Sequence, residues 1–88
     1  GIGATQRRGI ALASRVLNFS GVIVSAEEED GTVALYIYGE VGDREGYFYV
    51  KISRERAEKI LALGIGQRIE GRGVLVSEEP LVVEAVED

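Results

Sequence analysis

The sequence predicts a mainly β domain, a five-stranded Greek-key barrel with one helix between the third and fourth strands. Five short segments rich in β-branched and aromatic residues follow one another, separated by turns rich in glycine and charge. Only the segment after the third strand has the spacing of an amphipathic helix. Closing such a sheet into a barrel also removes the exposed edges that a short open sheet would present.

The composition is that of one small domain without redox or metal chemistry. A chain of 88 residues buries roughly 60–65% of its unfolded surface, which is enough for a single core. Cysteine, histidine, methionine and tryptophan are absent from the sequence, which excludes disulfides, His- or Cys-ligated metals, and Ser-His-Asp or Cys-His catalysis. No apolar run is long enough to cross a membrane. We therefore expect a cytoplasmic protein that is not an enzyme and needs no cofactor or metal. The richness in Ile, Val, Glu and Arg suggests a thermophilic source or a designed chain.

Charge is distributed unevenly along the chain. The net charge is −5, yet the N-terminal part holds Arg7, Arg8 and Arg15 without an acidic residue. Residues 1–14 are also rich in glycine and small side chains, which predicts a flexible basic arm before a folded domain over residues 15–88. The arm either follows a phosphate backbone or remains a solvated tail. Because the sequence does not begin with Met, we expect it to be processed, tagged or cut from a longer chain.

The first strand is predicted over residues 16–25, with Gly21 marking a bulge or a sharp bend. The acidic segment 27–31 then forms a turn, because Asp30 and Gly31 supply the positive φ of a tight hairpin. Its like charges repel one another and keep the turn in water. The spacing of its carboxylates is not that of a calcium loop, so a solvated loop is expected.

The second and third strands, over residues 32–39 and 47–52, are the clearest in the sequence. A glycine-rich loop over residues 39–46 joins them into an antiparallel hairpin. Alternation along both segments separates an apolar inward face from an aromatic outward face. The predicted inward residues are Val33, Leu35, Ile37, Phe48, Val50 and Ile52.

The helix is predicted over residues 53–63. Ser53 is the expected cap, Glu55 lies in the first turn where the helix dipole favours an anion, and Gly64 ends the helix. An apolar stripe along this segment is expected to close one end of the barrel with Ile60, Leu61 and Leu63.

The last two strands are less regular. The fourth, over residues 67–77, is weakened or bent by Gly71 and Gly73. The fifth follows at residues 81–87 after a tight turn. Its apolar residues do not fit one strict alternation, so the pattern leaves open which of its faces is buried.

The segment from Leu17 to residue 87 resembles an OB-fold of the tRNA-anticodon or replication-protein-A type. The similar features are the first strand with Gly21, the hairpin, the short helix, and the run GIGQRIEGRGVLV that follows it. This resemblance implies a ligand lying across the second and third strands. It also implies that the loops joining strands one to two and four to five flank that ligand.

The alternation of the hairpin places all the tyrosines of the chain on one outward surface. They are Tyr36, Tyr38, Tyr47 and Tyr49. Such exposed rings leave apolar surface in water unless a ligand covers it. Beside Lys51 and Arg44 they predict a flat platform for single-stranded DNA or RNA of low sequence specificity, since bases stack on rings for about 1–3 kcal/mol each and cations neutralise phosphates. Arg72 of the fourth strand either extends this surface or pairs with a neighbouring carboxylate.

The same aromatic face supports two other interpretations. Tyrosine pairs stabilise hairpins by about 0.2–1 kcal/mol without any ligand, and aromatic surfaces are common in protein interfaces. The acidic turn at residues 27–31 would also repel phosphate. The alternative hypothesis is therefore a protein–protein interaction domain, acting as a homo-oligomer or as a subunit of a larger nucleic-acid-processing complex.

Overall fold

The computed structural model describes residues 16–86. The predicted basic arm, with Arg7, Arg8 and Arg15, lies outside the described residues, as does the end of the predicted fifth strand. Along this part of the chain run β1 (Val16–Glu29), β2 (Thr32–Val41), β3 (Arg44–Ser53), α1 (Arg54–Leu61), β4 (Arg68–Glu78) and β5 (Leu81–Ala85). The mainly β class and the helix between the third and fourth strands are confirmed.

The five strands form one sheet that closes on itself as a ring. Their order around the ring is β1-β2-β3-β5-β4, with β4 paired back to β1. All neighbours are antiparallel except β3 and β5, which run parallel. Within residues 16–86 each strand therefore has a hydrogen-bonded neighbour on both sides.

β1 and β2 approach closely where Gly21 faces Gly39. A Cβ on Gly21 would lie 2.5 Å from the carbonyl oxygen of Tyr38, and one on Gly39 would lie 2.5 Å from the Cα of Gly21. No side chain fits at either position. The irregularity of β1 lies further along, as a register shift between Ile23 and Ser25. Gly21 therefore allows β1 and β2 to approach closely, whereas the bulge is at Val24.

Both predicted hairpin loops are wrong in length. The glutamates at 27–29 belong to β1 and pair with β2, so that the turn is only Asp30 and Gly31, whose φ values are 46° and 80°. Likewise β2 continues to Val41 and β3 begins at Arg44. In both cases the backbone ladder continues through polar residues because their side chains remain in water.

The core fills the inside of the ring. All six residues predicted to face inward on the second and third strands are buried, and Val83, which is 0% exposed, settles the face of β5 that the sequence left open. Val83 pairs with Val50 on one side and Leu75 on the other. The remaining buried apolar residues are Phe19, Ile23, Val41 and Ala57.

α1 is shorter than predicted and closes the ring with different residues. It ends at Leu61 and buries Ala57, while Ile60 and Leu61 are partly buried against the core. Leu63 is 70% exposed, so its predicted place in the core is wrong. The chain has left the helix by then, and the following loop is tied to β1 by hydrogen bonds between the backbones of Ile23 and residues 66–67. No helix in the described part of the chain has the length and apolarity needed to cross a membrane.

The cap of α1 gives a first testable result. The Ser53 Oγ accepts a hydrogen bond of 3.3 Å from the backbone N–H of Arg56, which satisfies a donor that the first helical turn leaves unpaired. Ser53→Ala is expected to lower the free energy of unfolding by about 1 kcal/mol. Urea unfolding followed by circular dichroism measures this, with Ser25→Ala on exposed β1 as the control. Equal small effects of the two substitutions would contradict a capping role.

Candidate functional site

The outward surface of β2 and β3 carries the four tyrosines, and we call it the tyrosine face. Tyr36 lies directly opposite Tyr49, and Tyr38 lies directly opposite Tyr47. Alternation turns the tyrosines outward, because the apolar residues next to them along the strands are buried in the core. These are Leu35, Ile37, Phe48 and Val50. The structure therefore brings together all four rings that the sequence singled out.

The four rings contact one another in a row instead of forming a flat platform, through one stacked and two tilted contacts. Ring centroids are 4.9 Å apart for Tyr49 and Tyr36, 5.2 Å for Tyr36 and Tyr47, and 4.8 Å for Tyr47 and Tyr38. The middle contact is nearly parallel at 14°, whereas Tyr47 and Tyr38 are tilted by 51°. The result is a column that runs along the strands and ends at Tyr38. Tyr38 and Tyr47 are the open rings, 52% and 57% exposed.

Valines extend this apolar surface on both sides. Val22 of β1 lies across from Tyr38 and Val82 of β5 lies beside Tyr49. Val22 is exposed, and so is Val24 at the bulge. Sequence reasoning missed the contribution of β1 because the run VIV at 22–24 does not show which of its residues face outward.

Lys51 lies on the tyrosine face but among carboxylates. It is opposite Ala34 on β2 and beside Glu84 on β5. It also lines a shallow cleft of about 480 Å³ together with Glu29 and Asp30. The cation that the sequence placed beside the rings therefore has three acidic neighbours.

The two predicted arginines are not brought to the tyrosine face. Arg44 lies opposite Val41 on the other face of β3, and its Nη1 donates to Glu78 Oε1 at 3.1 Å. Arg72 lies on β4 opposite Asn18, separated from β2 by the whole width of β1. There it lines a polar depression of about 480 Å³ that also includes Glu40.

Carboxylates border the tyrosine face at both ends. Beyond Tyr38 and Tyr47, the next outward residues are Glu40 and Glu45, which face each other across β2 and β3. At the other end, Glu27 and Glu84 flank the Ala34–Lys51 pair. Sequence reasoning placed Glu40 and Glu45 in a loop; the signal that it overlooked is the continued alternation of Tyr36, Tyr38 and Glu40.

Aromatic and aliphatic side chains make up the tyrosine face, and carboxylates lie at its ends. Within residues 16–86, no three carboxylates converge on a possible metal position. No family model matches the sequence, and no curated protein matches it. What the site does is therefore argued from its own residues, which offer aromatic surface, aliphatic surface and negative charge.

Proposed function

We propose that the ring is an OB-type Greek-key barrel and that its tyrosine face docks a positively charged segment of a protein partner. The strand order supports the barrel type, because β4 returns to lie beside β1 and gives the spatial order 4-1-2-3 that defines a Greek key. The position of α1 between β3 and β4 fits the same architecture. The tyrosine face then lies where this architecture binds ligands, on strands two and three.

The exposed aromatic surface supports a docking role. Tyr38 and Tyr47 are more than half exposed, and they continue into the exposed Val22 and Val24. Tyrosine is enriched among the residues that dominate binding energy at protein interfaces. A contiguous apolar surface of this kind is stabilised when a partner covers it.

The carboxylates at both ends of the tyrosine face determine which kind of partner it favours. Glu40 and Glu45 lie at one end and Glu27 and Glu84 at the other. Complementary charge steers and selects partners, so this border favours a basic segment and disfavours a phosphate backbone. A second copy of the chain would bring the same carboxylates against one another, which disfavours self-association through this face.

Single-stranded nucleic acid is the second candidate. It is favoured by the openness of Tyr38 and Tyr47 and by the strand order of the ring. A base would stack at the open end of the column, and binding would depend on base stacking more than on phosphate contacts. Its affinity would then fall less steeply with salt than that of a protein with a basic groove.

The test is a titration of the full chain with a short peptide of alternating lysine and serine. Tyrosine emission reports on the face directly, since the chain has no tryptophan and all its tyrosines lie there. We expect saturable binding that weakens as salt rises, with backbone amide shifts confined to β2, β3 and the adjacent part of β1. Tyr38→Ala/Tyr47→Ala is expected to lower the affinity about tenfold or more.

The matched control is Val16→Ala, an exposed apolar residue near the start of β1, which should bind as the wild type does. A peptide of alternating glutamate and serine should not bind. If single-stranded oligonucleotides bind through Tyr38 and Tyr47 while the lysine peptide does not, the second candidate replaces the first.

A further inference from the structure

The tyrosine column leads directly to a pair of carboxylates. Its rings follow one another in the order Tyr49, Tyr36, Tyr47, Tyr38, alternating between β3 and β2. Two residues further along the same strands, on the same outward surface, are Glu40 and Glu45. A step of two residues along a strand is about 7 Å, so the carboxylates begin one side-chain length beyond the last ring pair.

Within residues 16–86, the two carboxylates face each other without an ion-pair partner. Glu40 and Glu45 are direct cross-strand partners and both are exposed. Like charges in this position destabilise a sheet. No ion pair joins either of them to another residue of the described chain. Glu70 lies two strands away, on β4 beyond Ser20, and it lines the same depression as Glu40 and Arg72. A cation bound here would remove the repulsion.

The end of the column offers a surface for a planar cation. Tyr38 is the terminal ring, its only ring neighbour within residues 16–86 is Tyr47, and the two are tilted by 51°. A guanidinium within about 6 Å of a ring centroid is attracted to its face. The same guanidinium can donate paired N–H groups to a carboxylate, whereas an ammonium acts as a point charge.

The geometry points to an arginine-binding site formed by Tyr38, Tyr47, Glu40 and Glu45. The guanidinium of a partner's arginine lies against the face of Tyr38 at the end of the column, and its N–H groups donate to the two carboxylates. The inference rests on the proposed function, because it names the side chain by which the tyrosine face holds its basic partner.

Two peptides that differ at one position test the site on the full chain. Both alternate lysine and serine, and the central residue is arginine in one and lysine in the other. We expect the arginine peptide to bind about tenfold more tightly. Glu40→Gln/Glu45→Gln should remove that preference and weaken the arginine peptide about tenfold. The matched control is Glu27→Gln/Glu84→Gln, which removes the same charge from the opposite end of the face and should keep the preference.

The outcomes separate the two levels of the proposal. Equal affinity for both peptides, or equal losses in the two double variants, leaves basic docking in place and overturns the arginine site. If neither peptide binds, the proposed function fails and the arginine site fails with it. If peptides bind only to the Arg7→Ala/Arg8→Ala/Arg15→Ala variant, the chain's own arm is the occupant and the partner is overturned.

Discussion

Phe48→Ala is expected to lower the free energy of unfolding by about 3–5 kcal/mol, the range for truncating a buried aromatic residue. Phe48 is 1% exposed. It lies opposite Ile37 on β2 and meets Phe19 of β1 edge to face, with ring centroids 6.3 Å apart. Its removal leaves a cavity inside the ring, which adds to the cost of the lost apolar contacts. Urea unfolding measured by circular dichroism gives the change.

The control for this substitution is Tyr47→Ala, its neighbour on the outward surface of the same strand. The substitution removes the ring contacts of Tyr47 with Tyr36 and Tyr38. Because this ring is already largely in water, the free energy of unfolding is expected to fall by only about 1 kcal/mol. A loss as large as that for Phe48 would contradict the assignment of inward and outward faces to β3.

Gly39→Ala is expected to have the second large effect. It should lower the free energy of unfolding by about 3 kcal/mol or more, at the upper end of what overpacking a core produces. The added methyl group would collide with the backbone of β1 at Ser20 and Gly21. Backbone atoms cannot rotate away as a side chain does, so the two strands must separate and their hydrogen bonds lengthen. Thermal unfolding and amide hydrogen exchange along β1 and β2 measure the result.

Gly71→Ala provides the comparison, because it adds the same methyl group to a strand. There the nearest atom would be in the ring of Phe19, at 3.0 Å, and a ring can shift. The expected change is within about 1 kcal/mol in either direction, since alanine also restricts the unfolded chain. Wild-type stability in the Gly39 variant would show that β1 and β2 do not approach as described.

The alternation of two segments was sufficient to predict the tyrosine face. Every second residue from Val33 to Ile37 and from Phe48 to Ile52 is apolar and buried, so the intervening tyrosines have one possible direction. The alternation continues to the buried Val41, but glycines at positions 39, 42 and 46 are typical of a loop. Glu40 and Glu45 were therefore predicted to lie in a loop, although the β2–β3 pairing continues through them to the hairpin tip.

Other features depend on residues distant in sequence. Arg44 is near the tyrosines along the chain, but it forms an ion pair with Glu78 of β4. Glu84 lies beside Lys51 because β5 pairs in parallel with β3. Leu63 continues the apolar spacing of the helix, yet it is exposed because the loop after α1 is attached to Ile23 of β1. Local periodicity contains none of this information.

The closed ring also limits the ways in which a partner can bind. Many peptides bind by adding a strand to a free sheet edge, where main-chain hydrogen bonds supply affinity whatever the peptide sequence. In residues 16–86 every strand has a neighbour on both sides, so free edge is confined to short stretches where a ladder stops, at residues 44–48 of β3 and 24–29 of β1. On the tyrosine face the main-chain groups of β2 and β3 are bonded to each other, so a partner there is recognised through side chains. Its affinity is expected to depend on the partner's amino-acid sequence more than on its ability to form a strand.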